Sequence, residues 1–391
     1  MSEGYLFLLL ILSFTVIISL VAKRKNFALA IFSGSFILSL SILDRIGEIL
    51  WKTVTDYRVI SLMLIVIMIK MLAVILKETG QIEKIITFLQ RNLSYRGMLI
   101  AIPSILGLLP VPGGALLSAP LIDTHGRDAG IKKEELMAIN LWYRHIWFII
   151  FPLATPLVLL SDLSSTNIFL IIAAQIPMFF IAFFIGYLFV RKAKNVEVGE
   201  KEGKGNIKSL IPVILPASMA VPLSFFMSTY LAFLISLPAG VIMAWRMGDK
   251  RNPKILKEGV SLSLAMSILG IMLFKNIIFE TGIPGMISSH IAGMPPALMI
   301  AFLSFLIGML TAHNLAAIGI LYPVLSPFLN SLSMISLLYI SSFMGYLISP
   351  IHPCIVLTYE YFKPKFTDAY KLLIPPSMAM VIAAILFYSF L

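Results

Sequence analysis

Three short marks occur twice in this chain, in the same order and at nearly one spacing. Glu78-Thr79-Gly80 closes an apolar segment, and Glu280-Thr281-Gly282 closes another 202 residues later. Gly107-Leu108-Leu109-Pro110-Val111-Pro112-Gly113-Gly114 is followed, 201 residues on, by Gly308-Met309-Leu310-Thr311-Ala312-His313-Asn314. Phe151-Pro152-Leu153-Ala154-Thr155-Pro156 is answered by Ser349-Pro350-Ile351-His352-Pro353. One matching triplet is chance, whereas three in order point to a duplication. Repeated membrane halves with interrupted helices in matching places are the pattern of a secondary transporter, and the interruptions mark its binding site.

The solvent for such a fold is set by the apolar runs. Segments 4–22, 27–43 and 169–190 are long enough to cross a bilayer core, and only 13% of the 391 residues are charged against 59% hydrophobic. Glu3 precedes the first run and Lys23-Arg24-Lys25 follows it, so it reads as an uncleaved span and not as a secretory signal. The net charge of +11 is explained by basic loops at a membrane surface, with no nucleic-acid partner. Cys354 is the only cysteine and forms no internal disulfide.

The expected architecture is an all-α polytopic membrane protein made of two inverted repeats. The first, 1–190, holds scaffold spans within 4–77, an amphipathic arm at 81–95, a re-entrant hairpin at 97–123, a broken span at 136–160 and a span at 166–190. A polar linker, 191–208, leads to the second repeat, 209–391. There the scaffold spans fall within 209–279, the arm at 283–293, the hairpin at 295–328, the broken span at 334–361 and the last span at 371–390. Pro103, Pro110, Pro112 and the Gly113-Gly114 pair are expected to break 97–123 near its middle. If each hairpin returns to its own side, each half crosses five times, and an odd number inverts the second half. Under that topology 24 of the 30 Lys and Arg fall on one face, three on the other (Arg45, Lys52, Arg58) and three inside spans (Lys70, Arg144, Lys275). The rich face is then cytoplasmic and both termini lie outside.

At each hairpin tip a half-helix begins, one after Gly113-Gly114 and one after His313-Asn314. Free backbone N–H groups and the positive dipole end of such helices favour an anion. Pro112, Gly113 and Gly114 allow close approach of a ligand to the backbone, while Ser118, Thr311 and Asn314 offer neutral hydrogen-bonding groups. The prolines of the broken spans free carbonyls that, with Thr155 and Ser349, suit a small cation such as Na⁺. Arg144, His145, His313 and His352 cluster at the interruptions, and an ionisable group within a membrane is a functional candidate by default. Each also has a plainer reading. Arg144 either contacts substrate or pairs with lipid phosphate, Asp123 or Glu135. His313 and His352 either touch substrate or a proton, or cap a helix. His145 reads as a packing residue, Lys70 as a snorkelling one, and Lys275 and Glu280 as structural. No Walker loop, dinucleotide fingerprint or zinc-type Cys/His spacing occurs, so an enzyme is not expected and no cofactor is implied.

These motifs carry a resemblance. Two halves, each with a hairpin followed by a broken span, look like the ion transporter superfamily, which includes divalent-anion:sodium symporters and gluconate permeases. More narrowly, residues 107–123 and Ser349-Pro350-Ile351-His352-Pro353-Cys354 resemble the domain-of-unknown-function 401 family, a prokaryotic branch, over nearly the whole chain. The resemblance implies a homodimer in a prokaryotic cell membrane, with a fixed scaffold and a transport domain that moves as an elevator. It also implies a substrate and coupling-ion site between tips and broken spans, which brings Val111 and Ala312 in beside Thr155 and Ser349 as coupling-ion candidates. The Ser-Asn-Thr tip signature of the symporters is missing, so sodium coupling does not carry over residue by residue, and His313 leaves H⁺ open. The expectation is a secondary transporter of a small anion, foremost an organic carboxylate, coupled to H⁺ or Na⁺. The alternatives are a cation/proton antiporter on the same scaffold and a membrane component that acts only with a partner.

Overall fold

The computed structural model describes residues 3–108, 114–194, 205–249, 251–290, 293 and 295–390. They form twenty α-helices joined by short turns, with no strand among the described residues. The first ten are α1 (Glu3–Ala22), α2 (Phe27–Ser39), α3 (Ile46–Thr55), α4 (Tyr57–Glu78), α5 (Gln81–Asn92), α6 (Tyr95–Leu108), α7 (Gly114–Asp128), α8 (Lys133–His145), α9 (Thr155–Leu163) and α10 (Ile168–Val190). The second ten are α11 (Ile211–Leu223), α12 (Thr229–Met247), α13 (Pro253–Gly259), α14 (Leu262–Glu280), α15 (Ile283–His290), α16 (Pro296–Thr311), α17 (Asn314–Leu325), α18 (Leu332–Ile348), α19 (Pro353–Phe362) and α20 (Phe366–Ser389). By length and apolarity, seven stretches of helix among the described residues can cross a bilayer, and five shorter apolar helices accompany them. The protein is therefore a multi-pass, all-α membrane protein.

The repeated Glu-Thr-Gly triplets end α4 and α14 by the same chemistry. Thr79 N–H donates to the Ile75 carbonyl and Thr281 N–H to that of Ile277, each at 3.0 Å. Gly80 and Gly282 then take positive φ, 78° and 72°, where a Cβ would be strained, and turn the chain into α5 and α15. Helix α5 buries Ile82, Ile85 and Leu89 along one stripe and turns charged groups such as Glu83 away from it.

The two runs of ten interleave. Helix α2 packs on α14 and α12 on α4, while α17 packs on α9 and α19 on α7. The innermost elements are α8 and α18. Every side chain from Leu136 to His145 is buried, as is nearly all of α18 from Ile335 onward. Small residues let these helices approach their neighbours at backbone distance. A methyl group on Gly107 of α6 would overlap the carbonyl oxygen of Arg144 in α8. One on Gly308 of α16 would overlap that of Ser342 in α18.

Several sequence expectations need correction. The span expected at 27–43 stops at Ser39, and α3 follows as a separate amphipathic helix with Ile49 and Thr53 buried. The polar Asp44-Arg45 and Glu48 interrupt the apolar run, Arg45 forms an ion pair with Glu280, and Thr53 accepts from Asn276 at 2.8 Å. Between the spans expected within 209–279 a short separate helix, α13, forms, started by the Asn252 side chain accepting from Lys254 N–H. Pro103 lies inside α6 and does not end it. Packing around a membrane helix holds such a turn in place, and next to it the Ser104 hydroxyl donates to the Ile100 carbonyl at 2.7 Å. The first hairpin tip, with Val111, Pro112 and Gly113, lies outside the described residues, as does 195–204 of the linker.

Candidate functional site

The second hairpin turns in three residues. Thr311 ends α16, Ala312 adopts a left-handed backbone with φ 50°, and His313 is extended before α17 begins at Asn314. The His313 ring closes the turn as an N-cap: its Nδ1 accepts from the Ala316 N–H at 3.3 Å. That bond places the proton of the neutral ring on Nε2. The other face of the ring stacks on Phe27, centroid to centroid 5.5 Å. Asn314 is buried, and its Oδ1 accepts from the Ser342 hydroxyl at 3.0 Å. Its Nδ2 has no hydrogen-bond partner among the described residues.

In the first broken span α8 stops at His145. A 3-10 turn over Ile146–Ile149 follows, and α9 restarts at Thr155 with Pro156 in its first turn. Pro156 needs no N–H there, and its fixed φ suits a helix start. In the second broken span α18 stops at Ile348 and α19 restarts at Pro353.

These pieces enclose a cavity of about 160 Å³. Leu108 at the end of α6 lines it, with Phe148, Phe151 and Thr155 of the first break, His313 and Asn314 of the second tip, and Tyr346 of α18. Two helix N-termini, those of α9 and α17, thus open on one space. Both N-termini carry the positive end of a helix dipole, and the Asn314 amide protons beside them have no hydrogen-bond partner among the described residues.

Of the residues singled out from sequence, Thr155, His313 and Asn314 line this cavity. Arg144 lies behind it, buried, with Nη1 donating to the Leu106 carbonyl at 2.9 Å. It is not paired with either carboxylate proposed for it: Asp123 is bridged by Arg127 at 2.6 Å, and Glu135 accepts from Lys132 N–H at 3.0 Å. His352 is buried against Tyr346, with ring centroids 4.2 Å apart, and against His145 at 4.9 Å. Ala312 and Ser349 are buried without lining the cavity, and the Ser349 hydroxyl has no partner among the described residues. Ser118 and Thr311 turn their hydroxyls back on their own helices, to the carbonyls of Ala115 and Ile307. Gly114 is the first residue of α7.

Sequence reasoning missed Phe148, Phe151 and Tyr346, which form the apolar walls. Phe151 stands beside the recognised Pro152, so the break itself was the signal; Tyr346 carries none. It also missed Asp162, in the last turn of α9. This half-buried carboxylate has Lys275 and Arg58 as charged neighbours and borders a second cavity of about 350 Å³ between the ends of α4, α9, α11 and α12. None of the residues proposed from sequence lines that second cavity.

The fold and site thus define a class: a multi-pass helical membrane protein with interrupted helices meeting around a small internal cavity. Within that class the chain belongs to the family described as protein of unknown function (DUF401), which it matches over residues 6–390. No curated protein matches it.

Proposed function

We propose that the protein is a secondary active transporter of a small anion, an organic carboxylate in the first instance. The observation that supports this most is the cavity in which the N-termini of α9 and α17 meet the second hairpin tip. At about 160 Å³ it is smaller than the roughly 300–1,000 Å³ of pockets for drug-sized ligands, which suits a short carboxylate. Asn314 Nδ2 and His313 Nε2 donate to the anion, Phe148, Phe151 and Tyr346 exclude water, and buried Arg144 contributes positive potential from behind. In this reading the matched runs of ten helices are inverted repeats, the basic face is cytoplasmic, both termini lie outside, and a homodimer moves the site across the bilayer as an elevator. Coupling is to H⁺ or Na⁺, with Thr155 nearest to a cation.

A second reading, cation/proton exchange, draws on one observation: Asp162 supplies a half-buried carboxylate facing Lys275. Thermal unfolding of the purified full-length protein with short mono- and dicarboxylates, with and without Na⁺ and at two pH values, separates the two. A ligand that binds only the folded state raises its stability by mass action. Stabilisation by a carboxylate that disappears in Asn314→Ala supports the anion reading. Stabilisation by Na⁺ alone, lost in Asp162→Asn, replaces it with the exchanger.

A further inference from the structure

Behind the cavity wall the fold brings His145 to His352 and Cys354, which lie in the other half of the sequence. His145 ends α8, while His352 and Cys354 flank the start of α19. One donor atom from each lies within 4.8 Å of the other two. Three donors around a soft ion at about 2.0–2.3 Å stand roughly 3.5–4 Å apart, so closing on an ion asks for movements of about 1 Å or less.

The state of the donors fits this use. His145 Nδ1 lies 2.6 Å from the Leu141 carbonyl. A carbonyl only accepts, so Nδ1 carries the proton and Nε2 keeps its lone pair. Metal-ligating histidines are commonly held in this way, with the second nitrogen donating to a backbone carbonyl. His352 is 1% exposed, and its Nδ1 has no hydrogen-bond partner among the described residues. Leaving such a group unpaired is costly, and coordination would remove that cost. Arg144 is the charged neighbour of the Cys354 sulfur.

We propose that His145, His352 and Cys354 form a binding site for Cu⁺. A soft thiolate with two imidazoles, which suit copper and zinc, selects Cu⁺ or Zn²⁺ over Na⁺, Mg²⁺ or Ca²⁺. Two considerations favour the monovalent ion. The site offers three donors, whereas Zn²⁺ takes four in structural sites. Beside Arg144, a Cu⁺–thiolate pair adds no net charge to this buried place, whereas Zn²⁺ adds one unit, and buried uncompensated charge is costly. Binding displaces the thiol proton, which leaves to solvent. The ion ties the broken span of one half to that of the other. It lies one aromatic ring from the cavity, because Tyr346 both lines the cavity and packs on His352. The site does not depend on the transport reading.

The test uses the purified full-length protein, loaded with Cu⁺ under ascorbate and then desalted in the presence of bathocuproine disulfonate. Copper per chain is measured by mass spectrometry. The wild type is expected to retain one ion per chain. Cys354→Ser and His352→Gln should retain at least about tenfold less, and His313→Ala, in the cavity, should retain as much as the wild type. X-ray absorption of the loaded wild type should show one sulfur and two nitrogen neighbours. That spectrum decides the matter even if a variant fails to fold. No copper in the wild type, equal retention by a folded Cys354→Ser protein, or a coordination shell without sulfur each overturns the proposal. Failure of carboxylates to stabilise the protein bears on the transport reading and leaves this one untouched.

Discussion

The two halves make the same backbone contact and put different chemistry on it. In the first half Gly107 of α6 lies against the backbone of Arg144, and in the second Gly308 of α16 lies against that of Ser342. From those two contacts each chain restarts a helix after the same interval, at Thr155 and at Pro353. What happens within the interval differs. Helix α8 ends one residue past Arg144, and the chain passes through a 3-10 turn that puts Phe148 and Phe151 on the cavity wall. Helix α18 continues to Ile348 and leaves a short break that buries His352 beside His145. Arg144 sits where the second half has Ser342, whose hydroxyl orients Asn314. Thus the same glycine–carbonyl contact recurs, with a cationic Arg144 on one copy and a neutral Ser342, bonded to Asn314, on the other. The same close contact can carry different side chains because it is fixed by glycine and carbonyl groups, which have no side-chain chemistry.

That comparison can be broken most sharply at the glycines. Gly107→Ala and Gly308→Ala each force a methyl group into a carbonyl oxygen that cannot turn away, and each should cost about 3 kcal/mol, the upper end for overpacking. Thermal unfolding should show similar losses, and one tolerated alanine would mean that the two contacts are not equivalent. Next in size is the charge. Arg144→Ala should cost about 1.5–3 kcal/mol through its buried hydrogen bond to Leu106 and abolish anion uptake into proteoliposomes, whereas Ser342→Ala should cost about 1 kcal/mol. Equal effects of the two would erase the asymmetry. His313→Ala removes the N-cap of α17 and should cost about 1 kcal/mol, with loss of anion-dependent stabilisation as the larger readout. The smallest effect belongs to Arg45→Ala. Its pair with Glu280 is half open to water, so the change should be within about 1 kcal/mol and vanish in high salt.

Much of the fold was legible because its signals are local. A run of apolar residues sets its own medium, Glu-Thr-Gly ends a helix wherever it stands, and Pro156 starts one by its ring geometry. The errors arose where a local signal was weighed against neighbours the sequence does not show. Pro103 breaks an isolated helix yet sits inside α6, because packed surroundings stabilise the turn around it. Segment 46–55 was not singled out as a helix of its own because its apolar stripe is short, yet α14 gives it a surface to cover. Of the cavity lining, His313 and Asn314 were singled out because they stand at a turn, and Thr155 because it stands at a break. Tyr346 and Asp162 were missed because each lies in an unremarkable run and gains its surroundings only from distant helices.

By itself, then, the sequence determined the medium, the helical class and the helix ends at Glu-Thr-Gly, since each depends on the chain's own composition and local backbone preferences. Tertiary structure decided which interruptions share a cavity, that Arg144 turns to the Leu106 carbonyl instead of a carboxylate, and that His145 meets His352 and Cys354. Those outcomes depend on contacts between residues some two hundred positions apart, and only the packing of one half against the other fixes them.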